Sequence, residues 1–153
     1  MVTANEIFNF RKFTDGIDTS GLVSEDQLRA LSQQGYVAVV NLLPDEHEYA
    51  IKHERELVES QGMQYHYRPV DFAAPSDEDY DWYETTLQAL PAGTSLVHCA
   101  ANYRVSAFSS IYAYRNLGWS RRKASAFVSD VWDPGEHPVW KAFVDKWMPG
   151  QDS

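Results

Sequence analysis

The run Tyr36-Val-Ala-Val-Val-Asn-Leu-Leu43 is apolar at both odd and even positions. A strand with one wet face alternates apolar and polar residues, so such a run belongs in a strand covered on both faces. That means a parallel sheet with helices above and below it. Pro44 ends the run, because proline has no N–H to continue a ladder. Met63 to Val70 and Ser95 to His98 read as further strands, and the alternation from Ile7 to Phe13 predicts an edge strand. Asp15-Gly16 and Ser20-Gly21 mark a loop after it.

Helical patterns fill the intervals. Ser24-Glu-Asp-Gln27 is a capping box opening a helix that Gly35 stops, and Ser76-Asp-Glu-Asp79 opens another carrying Tyr80, Trp82, Tyr83, Leu87 and Leu90. A polar helix is predicted over 46–60, and three more over 105–117, 120–131 and 138–147. Strands alternating with helices predict a single α/β domain over 1–153, with a mostly parallel central sheet flanked by helices in three layers. The chain of 153 residues, 44% hydrophobic, is long enough for one core and too short for two ordinary domains.

A net charge of −9 offers no basic face, which excludes nucleic acid and anionic membrane surfaces as expected partners. The single cysteine cannot form an internal disulfide, which suits a reducing compartment. The opening Met1-Val-Thr-Ala-Asn-Glu has no basic-then-apolar signal segment, and no apolar run approaches a membrane span. A cytoplasmic location is the expectation.

The chemistry concentrates in Ser95-Leu-Val-His-Cys-Ala-Ala-Asn-Tyr-Arg-Val-Ser-Ala-Phe108. Cys99 ends a short strand and faces the first turn of the next helix, where free N–H groups and the helix dipole favour an anion. The same field favours a thiolate. Arg104 can bring a planar fork of donors to a tetrahedral oxyanion. Phosphorylated partners, protein or small molecule, are the ligands such a site predicts.

This stretch resembles the signature of the cysteine-dependent protein tyrosine and dual-specificity phosphatases, His-Cys, five residues, Arg, then Ser or Thr. The interval from Cys99 to Ser106 is the family's, but Arg104 stands one place early and Val105 fills its slot. Asn102 replaces the loop's usual glycine, since asparagine tolerates positive φ. The order strand, Asp71, helix, strand, His-Cys and the helical last third look like the small dual-specificity branch. Val39-Val-Asn-Leu-Leu with Glu46 or Glu48 after it is similar to a bacterial group of phosphatase-like proteins.

The resemblance implies hydrolysis of phosphomonoesters through a phosphocysteine, with no cofactor. It implies Cys99 as nucleophile, His98 as organiser of the loop, Ser106 as the hydroxyl on the sulfur and Asp71 as general acid, with Asp77 and Asp79 as rivals. Backbone N–H groups of Ala100, Ala101, Asn102, Tyr103 and Val105, with Arg104, would hold the phosphoryl oxygens. Phe72 and Tyr103 would line the mouth, while Trp132, Trp140 and Trp147 read as core. His47, His53 and His66 have no metal-ligand spacing, and no metal is expected. Two alternatives stay open. Four residues between cysteine and arginine also look like the loop of rhodanese-type sulfurtransferases, where the cysteine carries a persulfide. A phosphate-binding module without turnover is the other.

Overall fold

The computed structural model describes residues 3–150. Its sheet has five strands in the order β1-β2-β5-β3-β4. They are β1 (Arg11–Thr14), β2 (Ile17–Ser20), β3 (Tyr36–Asn41), β4 (Gln64–Tyr67) and β5 (Thr94–His98). Strands β2, β5, β3 and β4 run parallel, and β1 pairs antiparallel with β2. The helices are α1 (Glu25–Arg29), α2 (Glu54–Glu59), α3 (Asp77–Gln88), α4 (Tyr103–Asn116), α5 (Arg121–Ser129) and α6 (Pro138–Trp147).

Alternation along the two inner strands builds the three layers. Val39 of β3 and Leu96 of β5 face a core with Leu28, Leu31 and Val58. Their neighbours Val40 and Val97 face the opposite core, with Tyr83, Phe108, Ile111 and Trp140. Both faces of the sheet are therefore apolar, as the run from Tyr36 demands. The capping boxes form as read: Ser24 with Gln27, and Ser76 with Asp79.

Three local expectations are corrected. The first strand begins at Arg11 rather than Ile7, after a short 3-10 turn over Ala4–Glu6. The segment read as a loop contains β2, a strand hidden by its polar residues. Asp18 is buried there because Tyr36 donates to it at 2.6 Å and Lys12 pairs with it at 3.3 Å. The helix predicted over 46–60 shrinks to Glu54–Glu59. Upstream, Tyr49 is exposed and the chain makes isolated turns, His47 N–H to Pro44 O and Ala50 N–H to His47 O. That stretch has no apolar stripe to bury, and short helices need one. His53, at φ 63°, then breaks the helical path immediately before Glu54.

Candidate active site

Strand β5 delivers Cys99 at its carboxyl end, and α4 begins at Tyr103. Cys99 is fully buried at the floor of the connecting loop, with Ala100, Ala101 and Tyr103 half-buried above it. Asn102 makes the turn into the helix at φ 67°, ψ 11°. Its side-chain amide donates to Asn9 O at 3.0 Å and Thr19 Oγ1 at 3.1 Å, which holds a conformation that only glycine adopts freely.

The carbonyls of this loop are held on its outer side. His98 Nδ1 lies 3.4 Å from Cys99 O, Leu22 N–H donates to Ala100 O at 2.9 Å, and Asn9 Nδ2 donates to Ala101 O at 3.0 Å. In a trans peptide C=O and N–H point in opposite directions. The amides of Ala100, Ala101 and Asn102 are thereby turned to the inner side. Tyr103, Arg104 and Val105 occupy the first helical turn, and the first bond of that helix is Ser106 N–H to Asn102 O at 2.9 Å. Among the described residues, no N–H from Ala100 through Val105 meets a protein acceptor. Six consecutive donors at the amino end of α4 form a cradle for an anion.

Gly21 makes the clasp possible. A Cβ there would lie 2.7 Å from Ala100 O and 3.0 Å from Ala101 Cα, so no larger residue lets β2 approach the loop this closely.

Arg104 is only 8% exposed, yet among the described residues it has no carboxylate partner. Its Nε donates to Val70 O at 2.8 Å, and its guanidinium lies over the Phe72 ring at 5.2 Å. Residues 70 and 72 flank Asp71, so one cation ties the Asp71 loop to the Cys99 loop. A buried charge without a counter-charge is costly, and a bound oxyanion removes that cost.

The other predicted residues divide. Asp71 is exposed and, among the described residues, its carboxylate accepts from the Ala73 N–H alone, at 2.9 Å. Asp77 is occupied by Lys146 at 2.6 Å and Trp147 Nε1 at 2.9 Å, and these two donors hold its carboxyl below the usual range. Asp79 is occupied by Arg68 at 2.9 Å and by its capping box. Ser106 donates to Tyr103 O at 3.2 Å and accepts from Trp132 Nε1 at 3.0 Å, so its hydroxyl is engaged on the helix side rather than on the sulfur. His98 lies beneath the loop with Nε2 2.6 Å from Glu54 Oε2. Burial opposes a charge on its ring, but the Glu54 carboxylate outweighs burial and raises its pKa.

An aromatic wall surrounds Phe72. Trp132 stacks flat on Tyr103 at 4.5 Å, His137 meets Phe72 edge-on at 5.1 Å, and Trp140 Nε1 donates to Phe72 O at 2.7 Å. Trp132, read as core, is thus shared between core and site. Glu54, Asn9, Gly21 and His137 carry no motif that marks them in the sequence. Ser20-Gly21 reads in the sequence only as loop punctuation, not as a close approach of two backbones.

No family model and no curated relative matches the chain. Solved structures do. A candidate phosphatase of the DUF442 group from Shewanella putrefaciens CN-32 is 30% identical, with 96% of each chain covered and a TM-score of 0.82. A second structure of that protein is 31% identical over 94% of this chain and 93% of that one, with a TM-score of 0.83. TpbA of P. aeruginosa is 19% identical over 95% and 88%, with a TM-score of 0.74, and a cysteine-to-serine form of it is known in complex with pTyr. Kinase associated phosphatase shares the fold at 14% identity and a TM-score of 0.71, over 88% and 89%. The chain belongs to the DUF442 group of phosphatase-like proteins.

Proposed function

We propose that the protein hydrolyses phosphomonoesters through a phosphocysteine formed on Cys99. One observation carries this reading: among the described residues, six neighbouring backbone N–H groups beside the cysteine have no protein acceptor, and the buried arginine next to them has no counter-ion.

In the first step the Cys99 thiolate attacks phosphorus and forms the S–P bond as the P–O bond to the leaving group breaks. Asp71, in its protonated form, gives its proton to the departing oxygen. In the second step water attacks phosphorus, Asp71 takes a proton from it, and the S–P bond breaks to return the thiolate and release inorganic phosphate. Charge on the three equatorial oxygens is met by the amides of Ala100, Ala101, Asn102, Tyr103 and Val105 and by the free nitrogens of Arg104. Asp71 is preferred over Asp77 and Asp79 because its carboxylate alone of the three lacks a cationic or indole partner. The Phe72–Tyr103 wall suits an aryl ester, and the complex of TpbA with pTyr points the same way.

The test is turnover of an aryl phosphate with wild type and Cys99→Ser. Release of phosphate by wild type, abolished in Cys99→Ser, supports the reading. Sulfur transfer from thiosulfate to cyanide, with a persulfide mass on Cys99, replaces it by the rhodanese-type chemistry that the four-residue Cys-Arg interval admits. Binding of phosphate without turnover in either assay reduces the site to a phosphate-binding module.

A further inference from the structure

The phosphoryl chemistry uses no residue of α2, yet α2 places a carboxylate directly beneath the loop. Glu54 and His98 have side chains only 5% and 3% exposed. Glu54 is held from two sides: its Oε2 meets His98 Nε2 at 2.6 Å, and its Oε1 is 3.5 Å from Asn41 Nδ2. Asn41 is itself fixed by Tyr65 Oη at 3.0 Å and by the Leu43 N–H at 2.8 Å. Packing alone does not call for an ionisable group in this place, where apolar residues of like volume serve stability as well or better.

We propose that Glu54 is a positioning residue for the reaction, acting through His98 on the Cys99–Ala100 peptide. This inference rests on the phosphatase reading above. The reasoning lies in the two ring nitrogens. A carboxylate on Nε2 obliges that nitrogen to carry a proton. A neutral ring would then leave Nδ1 bare, lone pair facing the lone pairs of Cys99 O. The charge of Glu54 keeps a second proton on the ring, so Nδ1–H can donate to Cys99 O across the 3.4 Å that separates them. With that carbonyl held towards His98, the Ala100 N–H is turned the other way, towards the phosphoryl group. The titratable groups about the ring are Glu54 of α2, Cys99 of its own loop, and Tyr65 of β4, whose hydroxyl is bridged to Glu54 by Asn41 and also feels the Glu54 charge directly.

The substitutions separate position from charge. In Glu54→Gln the amide can donate to Nε2, which leaves the proton of a neutral ring on Nδ1, still facing Cys99 O. Glu54→Ala removes both controls. With an aryl phosphate at pH 7, Glu54→Ala should lose about tenfold or more in kcat with KM changed less than about threefold, whereas Glu54→Gln stays within about threefold of wild type. Wild type should lose kcat at alkaline pH, as the ring gives up its second proton, and Glu54→Gln should lack that limb. Equal kcat in wild type and Glu54→Ala, or an unchanged alkaline limb in Glu54→Gln, overturns the proposal. Nitrogen-15 spectra of the His98 ring in wild type decide it even if no turnover is found or Glu54→Ala does not fold. Both ring nitrogens protonated at pH 7 support it, and a bare Nδ1 refutes it whatever the enzyme activity.

Discussion

Asn102 tests whether asparagine stands in for the loop glycine, because its conformation and its two hydrogen bonds can be separated by substitution. Asn102→Ala removes the bonds to Asn9 O and Thr19 Oγ1, each contributing about 1 kcal/mol. It also puts at φ 67° a residue that tolerates the left-handed region less well than asparagine does, costing about 1–2 kcal/mol. Against this, the Asn102 Oδ1 is buried without a partner, and its removal returns about 1 kcal/mol. The net loss is about 2–3 kcal/mol. Asn102→Gly loses the same bonds but not the left-handed cost, and gives back about 0.5–1 kcal/mol through greater freedom of the unfolded chain. It should therefore be about 1 kcal/mol more stable than Asn102→Ala. Followed by tryptophan fluorescence in urea, with a slope of about 2 kcal/mol/M, the two midpoints should differ by about 0.5 M, glycine above alanine and both below wild type. Equal midpoints for alanine and glycine refute the conformational reading. A midpoint for Asn102→Ala equal to that of wild type refutes the whole account of the turn.

Gly21→Ala should displace Ala100 or the strand end beside it, because its Cβ would lie 2.7 Å from that carbonyl. A stability loss of about 1–3 kcal/mol, with turnover falling further than stability predicts, is the expected result. Ser106→Ala leaves the buried Trp132 Nε1–H unpaired and should cost about 1–3 kcal/mol; a double-mutant cycle with Trp132→Phe should show coupling of at least about 0.5 kcal/mol. Burial raises the carboxyl of Glu84, but donors from Asn116, Arg115 and Tyr80 prevail and hold its pKa below the ordinary value. A depressed pKa contributes stability that is present above the unfolded value and lost as pH falls through the folded one. Glu84→Gln should flatten the acid arm of the stability profile below about pH 4.5.

What could be read in advance was local. The Tyr36 run, both capping boxes and the left-handed Asn102 each follow from a few adjacent residues, and each took the form expected of it. What could not be read was paired across the chain. Ile17-Asp-Thr-Ser20 looks like a loop because nothing nearby shows that Tyr36 will cover Asp18. Glu54 looks like one more solvated carboxylate in a polar segment, since its partner His98 lies 44 residues away. Asn9 closes the loop on Ala101 O from 92 residues upstream, and no spacing rule reaches that far. Ser106 was legible by position, but its hydrogen bond to Trp132 was not. A tryptophan just past a helical segment reads as core until its indole N–H is traced.

Arg104 separates a residue kept for binding from one kept for folding. The residue is 8% exposed and has no carboxylate partner among the described residues, so the folded protein bears the desolvation of a charge. The compensations in hand are the Nε bond to Val70 O and the contact with the Phe72 face, together worth about 1–3 kcal/mol. Arg104→Met fills much of the same space, loses those compensations and also loses the buried charge. Without added oxyanion its stability should therefore lie within about 1 kcal/mol of wild type. Phosphate or vanadate should then divide the two. A ligand at 100 times its Kd stabilises the form that binds it by about 2.7 kcal/mol. Wild type should gain on that scale in a urea titration, and Arg104→Met should gain little. If Arg104→Met loses more than about 3 kcal/mol without ligand, the arginine is structural, and burial has been misread as readiness for an anion. If both proteins gain equally from the oxyanion, the anion does not sit where Arg104 can reach it.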